Sequence, residues 1–185
     1  MKRIYILLIT MLAYLPFYGI STSGEWIPLE GGLNAYPACI SLSVLDDNEK
    51  HINVVNILII SNEEQQIKES NTKALLKLSD GFILELDSYG KADSSYYPQI
   101  HFGNKYDLYK SWQSYIIGDE DLDKLLTLPV VKVRVEQRSG DRRDIEVSKK
   151  QGKKVLKELN KSWSNINNRQ DQRIQNANTD IKSDF

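Results

Sequence analysis

The sequence predicts a single α+β domain, with an antiparallel or mixed sheet of about five to seven strands and two helices packed on one face. Three observations lead to this fold class. Residues 38–45 alternate between apolar and other side chains, two strand pairs surround turns that end at Gly81 and Gly140, and apolar residues recur at helical spacing over about 119–127 and about 149–166.

Composition excludes several classes of protein. The chain has 185 residues, of which 26% are charged, and its 24 basic and 25 acidic groups give a net charge of -1. Because basic and acidic residues are nearly equal in number, the sequence gives no general sign of a basic face that would bind the phosphates of a nucleic acid. We therefore expect no nucleic-acid partner. With Cys39 as the single cysteine, no intramolecular disulfide can form, and Cys39, His51 and His101 are too few for a structural zinc site.

The N-terminus has the pattern of a secretory signal peptide. Lys2 and Arg3 precede the apolar run Ile4–Ile20, and small residues follow to Gly24. We therefore predict a signal peptide over 1–24 and a secreted or periplasmic protein. The alternative is an uncleaved segment that anchors the protein to the envelope, and no other membrane contact is expected. The folded domain should span 25–166, and the polar composition of 167–185 predicts a disordered tail.

Two strands open the domain. In the first, Ala38, Ile40, Leu42 and Val44 share one face, while Cys39, Ser41 and Ser43 share the other, as in a half-buried strand. The apolar run 54–60 is too continuous to have a solvated face, which indicates a central strand with both faces covered.

The register of the first hairpin follows from its side chains. A three-residue loop, Ser79–Gly81, pairs Leu78 with Phe82, Leu76 with Leu84 and Ala74 with Leu86. This register gives one fully apolar face and places Gly81 where a left-handed backbone is needed.

The same reasoning applies to the second hairpin, around Arg138–Gly140. Its inner face pairs Val133 with Ile145 and Val131 with Val147, and its outer face would carry a ladder of opposite charges: Glu136 with Arg142, Arg134 with Asp144, and Lys132 with Glu146. Alternating signs are typical of a solvated sheet face rather than a binding patch.

A further strand is predicted over Tyr106–Ile117, followed by the two helices. Asp119 would cap the short helix, about 119–127, and Pro129 would end it. In the longer helix, about 149–166, Val155, Leu159, Trp163 and Ile166 form a docking face.

The strongest indication of function is a concentration of aromatic residues. The stretch 87–105 is long for a connection in a compact domain, and long ordered connections tend to be functional. Rigid rings among small polar residues offer contact area at low entropic cost, and sugar rings also stack on them. The candidate binding residues, in this stretch and the strand after it, are Tyr89, Tyr96, Tyr97, His101, Tyr106, Tyr109, Trp112 and Tyr115.

Catalytic patterns are weak. No nucleophile elbow, phosphate-binding glycine loop, dinucleotide motif or His-Glu-x-x-His helix is present, and we assign no catalytic residue. Asp87, Asp93 and Asp107 are suitable ligands for calcium but do not have the spacing of a recognised loop, so we expect no metal and no cofactor.

The sequence thus predicts an exported, non-enzymatic module that binds a protein or a glycan through its aromatic residues. Two alternatives remain open. One is a small extracytoplasmic hydrolase that uses His101 or a pair of carboxylates. The other is an inhibitor or immunity-type protein that presents the same surface to an enzyme.

Overall fold

The structure is a computed structural model that describes residues 20–30, 38–47, 50–62, 67–68, 71–101 and 104–183. The helices within these ranges are α1 (Asp119–Leu125) and α2 (Lys149–Ser183). The strands are β1 (Ile20–Ser23), β2 (Ile27–Pro28), β3 (Ala38–Asp47), β4 (Lys50–Ser61), β5 (Lys73–Leu78), β6 (Ile83–Tyr96), β7 (Gln99–His101), β8 (Asn104–Tyr106), β9 (Tyr109–Ile116), β10 (Val130–Glu136) and β11 (Arg142–Glu146). The fold is α+β, as the sequence predicts.

The main sheet is larger than predicted. Eight strands follow the order β1-β3-β4-β9-β6-β5-β10-β11, β2 also pairs with β3, and β7 pairs with β8 in a separate hairpin. All pairings between described strands are antiparallel. The prediction of five to seven strands is wrong because β1 and β2 have only four and two residues, too few for an alternating pattern.

Both described helices pack on one face of the sheet, and the sheet curls around α2. Leu122 and Leu125 of α1 lie in the same apolar core as Val155 and Leu159 of α2. Helix α2 contacts both β3 and β10, which stand near opposite ends of the strand order. One helix can reach both strands because twisted sheets curve. The face that the helices cover is called the inner face below, and the opposite one the outer face.

Helix α1 begins where predicted but has a different cap. Gly118 is the N-cap residue, and no side chain caps the helix. Asp119 instead accepts a hydrogen bond of 3.0 Å from Asn53 Nδ2 on β4. The carboxylate therefore ties the start of α1 to the sheet.

The predicted register of the first hairpin is confirmed. Leu76 faces Leu84 and Ala74 faces Leu86, and the Leu78 amide donates to the Phe82 carbonyl at 2.8 Å. Gly81 has φ of +93°, the left-handed conformation that this loop needs. The Phe82 ring itself remains 42% exposed, with Lys124 Nζ 4.0 Å from its centre.

The register of the second hairpin is confirmed as well. Lys132 faces Glu146, Arg134 faces Asp144, and Glu136 faces Arg142. Lys132 Nζ lies 2.8 Å from Asp144 and 2.6 Å from Glu146, so one lysine bridges two carboxylates. Glu136 pairs with Lys68 at 2.9 Å, which joins the ladder to the segment before β5.

The predicted long connection over 87–105 is wrong. Most of it is the second half of β6, an internal strand between β5 and β9. The register between β6 and β9 shifts between Tyr89 and Asp93, and Gly90 there has φ of +70°. Gln113 on β9 spans this bulge, because its Nε2 donates to the Tyr89 carbonyl at 2.9 Å. A bulge breaks the alternation of side chains, so sequence periodicity could not identify this part of the strand.

Helix α2 continues to Ser183, beyond its predicted end near 166. Over residues 149–172, Ile166 is nevertheless the last buried residue of α2. The sequence therefore locates the end of the packed face correctly and the end of the helix too early. A polar sequence can remain helical beyond its last packing contact, although unpacked helix is only marginally stable.

The predicted signal peptide lies mostly outside the described residues. Only 20–24 are described, and they belong to the fold. Strand β1 pairs with β3, and the Gly24 amide donates to the Leu42 carbonyl at 2.8 Å. Cleavage after Gly24 would therefore remove β1 from the sheet.

Candidate binding surface

The aromatic residues predicted to form one surface are divided between two faces. Side chains alternate along β9, so Lys110, Trp112 and Ser114 point to one side and Tyr109 and Tyr115 to the other. Tyr115 belongs to the apolar core beneath the helices, while Trp112 packs against a separate apolar cluster. The first group therefore lies on the outer face and the second on the inner face.

The outer face carries a compact group of rings, which we call the outer aromatic cluster: Trp26, Tyr97 and Trp112. These partly buried rings pack against four buried residues, namely Cys39, Leu58, Ile60 and Leu108. In the sheet register Cys39 faces Leu58, and Leu58 faces Trp112. The buried residues thus form a floor across β3, β4 and β9, beneath the rings.

Lys110 lies within this cluster. Its ammonium is 3.7 Å from the centre of the Tyr97 ring, a cation–π contact, and the residue is only 4% exposed. Burial lowers the pKa of Lys110 below its ordinary value, because removal from water disfavours the charged form. Among the described residues, no carboxylate pairs with this ammonium and no acceptor receives a hydrogen bond from it.

Two other lysines of the sheet are arranged differently. Lys73 lies against Glu85 and Asp87, and Lys132 lies against Asp144 and Glu146. Both are more exposed than Lys110. Among the described residues, Lys73 and Lys132 therefore have carboxylate partners, whereas the recorded partner of Lys110 is an aromatic ring.

A polar row runs beside the cluster on the outer face. Asn56 Nδ2 donates to Ser43 Oγ at 2.8 Å and to Ser41 Oγ at 3.3 Å, and Ser114 Oγ donates to Asn56 Oδ1 at 2.6 Å. Ser41, Ser43 and Asn56 are buried, so β3 is covered on both faces rather than half-buried as predicted. The network satisfies the Asn56 amide within the sheet.

Tyr96 and Tyr109 form a second aromatic pair, away from the outer cluster. They face each other in the register, and their rings are 5.4 Å apart with a tilt of 55°. The Tyr96 hydroxyl donates to Asp107, and the residue is 49% exposed. By strand alternation this pair belongs to the inner side of the sheet.

The remaining predicted residues have different positions. Tyr115 is fully buried in the core, so it is wrong as a surface residue. Burial raises the pKa of Tyr115 to about 12. Tyr89 is half-buried next to the bulge of β6. The side chains of His101 and Tyr106 lie outside the described part of the chain.

Three residues of this surface were missed by sequence reasoning: Trp26, Asn56 and Lys110. Trp26 comes from a segment without recognisable strand pattern. Asn56 is the one polar residue in the apolar run 54–60, which is a signal of a buried hydrogen-bond network. Lys110 has no such signal, because a lysine in an aromatic strand is usually solvated.

The surface does not contain an activated thiol. Cys39 is fully buried, and burial raises the pKa of its thiol to about 12. A thiol with this pKa stays protonated at neutral pH and is a poor nucleophile. Within the described residues, no group of three or more His, Cys, Asp or Glu side chains is arranged to hold a metal ion.

No family model, curated protein or solved structure matches this chain. Neither described helix is both long and apolar enough to cross a membrane.

Proposed function

We propose that this protein is an exported, non-enzymatic module that binds a protein or a glycan through the outer aromatic cluster. The observation that carries this proposal is the grouping of Trp26, Tyr97 and Trp112 in one patch with a buried lysine among them. Tyr96 and Tyr109 lie elsewhere, and Tyr115 has no accessible surface, so the proposed surface is smaller than the one predicted from the sequence.

The buried residues beneath Trp112 favour binding. Trp112 stands on an internal strand, and its neighbours Cys39 and Leu58 are fully buried. Side chains that are already ordered lose little entropy when a partner binds, which increases affinity for a given contact area. Trp and Tyr are also among the residues that most often dominate the binding energy of an interface.

The proposal is tested by binding screens on glycan arrays and by pull-down with the substitutions Trp112→Ala and Tyr97→Ala. We expect each to weaken binding about tenfold or more, because an anchoring ring contributes at least about 1.4 kcal/mol. Tyr96→Ala is the matched control, since it removes an exposed ring from outside the cluster. Circular dichroism would verify that the variants are folded.

Two results would overturn the proposal. One is unchanged binding by both cluster variants. The other is a loss of binding in Tyr96→Ala alone, which would show that the ligand contacts the Tyr96–Tyr109 pair instead.

A further inference from the structure

We infer that the ligand is an acidic glycan, whose sugar rings stack on Trp112 and Tyr97 and whose carboxylate pairs with the ammonium of Lys110. This inference rests on the proposed function, because it names the ligand class of the same surface. It is carried by the position of Lys110 among the rings and by the absence of a carboxylate beside it in the described part of the chain.

Lys110 is a buried cation without an anionic partner among the described residues. A buried cation without an anion is unfavourable, since the ring of Tyr97 replaces only part of the lost hydration. The nearby described carboxylates, Glu30, Asp93 and Asp107, form no ion pair with Lys110. Asp107 accepts from the Tyr96 hydroxyl, and Asp93 accepts from the Ser94 amide at 2.7 Å. A ligand carboxylate would therefore complete an ion pair that the described residues leave unmade.

The described group that lies against the ammonium is the Tyr97 ring. This residue follows the end of β6, and its amide donates to the Leu108 carbonyl at 2.6 Å, which fixes the backbone. Tyr97 lies after the last residue of β6, so we expect its ring to leave the ammonium by rotation about its side-chain bonds when the ligand binds. The ring would then be available to stack on the sugar that carries the carboxylate.

The place of the cluster in the sheet favours a glycan over an acidic peptide. Strands β4, β9 and β6 are internal, and their backbone groups are engaged with neighbouring strands. An extended peptide that binds a sheet usually adds to a free edge, where unpaired backbone groups give it affinity. A sugar polymer needs no such edge, because it binds through stacking and side-chain contacts alone.

The experiment compares polygalacturonate with its methyl ester, two polymers of the same sugar that differ in carboxylate charge. Binding of the full chain to each is measured by affinity electrophoresis or calorimetry, with dextran as a neutral polymer. We expect binding to polygalacturonate, at least tenfold weaker binding to the methyl ester and no binding to dextran. Added salt should weaken the binding to polygalacturonate, because an ion pair contributes to it.

Substitutions at Lys110 test the residue itself. Lys110→Met removes the charge and keeps an apolar stem, and we expect at least a tenfold loss of affinity for polygalacturonate. Lys110→Arg keeps the charge and should retain most of the binding. Lys161→Met, on the exposed side of α2, is the matched control for a general loss of positive charge.

The outcomes separate this inference from the proposed function. Equal binding to polygalacturonate and its methyl ester, or full binding by Lys110→Met, would contradict an acidic ligand. Neither result would contradict binding through the aromatic cluster. Binding to polyglutamate but to no polysaccharide would overturn the glycan and favour an acidic peptide. If Trp112→Ala and Tyr97→Ala left binding to polygalacturonate unchanged, the proposed surface itself would be wrong.

Discussion

Cys39 lies on the outer face of β3, in the floor of the aromatic cluster, and none of it is exposed. Its pKa of about 12 results mainly from burial, with a smaller contribution from the nearby charge of Glu30. The thiol of an unfolded chain has a pKa of about 8.5. Folding therefore suppresses the reactive thiolate.

We predict that the native protein reacts with a thiol reagent at pH 8.5 roughly a thousandfold more slowly than the urea-unfolded protein, because the thiolate fraction falls by that factor. Reaction is measured by the release of a coloured thiolate over time. Comparable rates in the native and unfolded states would show that the floor of the cluster opens to solvent.

Strand alternation decides on which face of the sheet each predicted aromatic residue lies. Tyr109 and Tyr115 have the same composition signal as Trp112, but they stand on the other side of β9. Tyr115 is in the core, and its buried hydroxyl has no hydrogen-bond partner among the described residues. Residue type alone could not decide which ring faces outward.

The β10–β11 hairpin is the element that the sequence predicts most completely. Its charge pairs lower the pKa of Asp144 far below the ordinary value, first through the hydrogen bond from Arg134 and then through Lys132. A lowered carboxylate pKa stabilises the fold at pH values above the pKa of the unfolded chain, about 3.9. This contribution is lost as the pH falls through the pKa of the folded state.

We predict that Asp144→Asn lowers the free energy of unfolding by about 0.5–1 kcal/mol at pH 7, a modest value because the pair is partly exposed. The difference from the wild type should shrink as the pH is lowered below about 4. Urea unfolding at pH 7 and pH 2.5 measures both effects. Asp123→Asn, on exposed α1, is the control, and a difference at pH 2.5 as large as the difference at pH 7 would contradict the electrostatic explanation.

The N-terminal segment packs closely on α2, so a larger residue at Gly24 should destabilise the fold. A Cβ atom at Gly24 would lie 2.0 Å from Ser162 Oγ and 2.8 Å from the Leu42 carbonyl oxygen. We predict that Gly24→Ala lowers the free energy of unfolding by about 1–3 kcal/mol, because β1 or α2 must move.

Ser162→Ala alone is the control for this substitution, since it removes the hydroxyl that the new Cβ atom would meet and leaves Gly24 in place. The double variant Gly24→Ala/Ser162→Ala should recover only part of the loss, because the Leu42 carbonyl remains in place. If Gly24→Ala were as stable as the control, the segment before Glu25 would not be packed on the domain.

The contrast between the hairpins and the 87–105 stretch shows which elements a sequence can predict. In each hairpin, residues a few positions apart pair through a tight turn, so local side-chain patterns are sufficient to determine the register. The second half of β6 pairs instead with β9 across a bulge. Gln113 of β9 donates a hydrogen bond to the Tyr89 carbonyl at this bulge, and no local pattern of 87–105 reveals that contact.

At the scale of the whole molecule, the core lies between the curled sheet and the helix that the sheet encloses. Helix α2 contributes Val155, Leu159 and Ile166 to it, and the residues after Ile166 up to 172 add no buried side chain. The helix beyond this point should therefore contribute little to stability.

We predict that ending the chain at Gln172 changes the melting temperature by less than about 2 °C, whereas ending it at Asn165, which removes Ile166, lowers it by roughly 5 °C or more. Thermal unfolding followed by circular dichroism tests both. A large loss from the shorter truncation would mean that 173–185 pack on the domain.

The sequence by itself determined the fold class, both hairpin registers, the central position of 54–60 and the packed face of α2. These features depend on periodicity and turn chemistry, which act between residues close in the chain. The tertiary structure alone decided the curl of the sheet, the continuation of β6 and the separation of the rings between two faces. It also placed Lys110 among those rings. The physical reason is that these features arise from contacts between distant strands, whose partners and burial are set only when the whole sheet closes around α2.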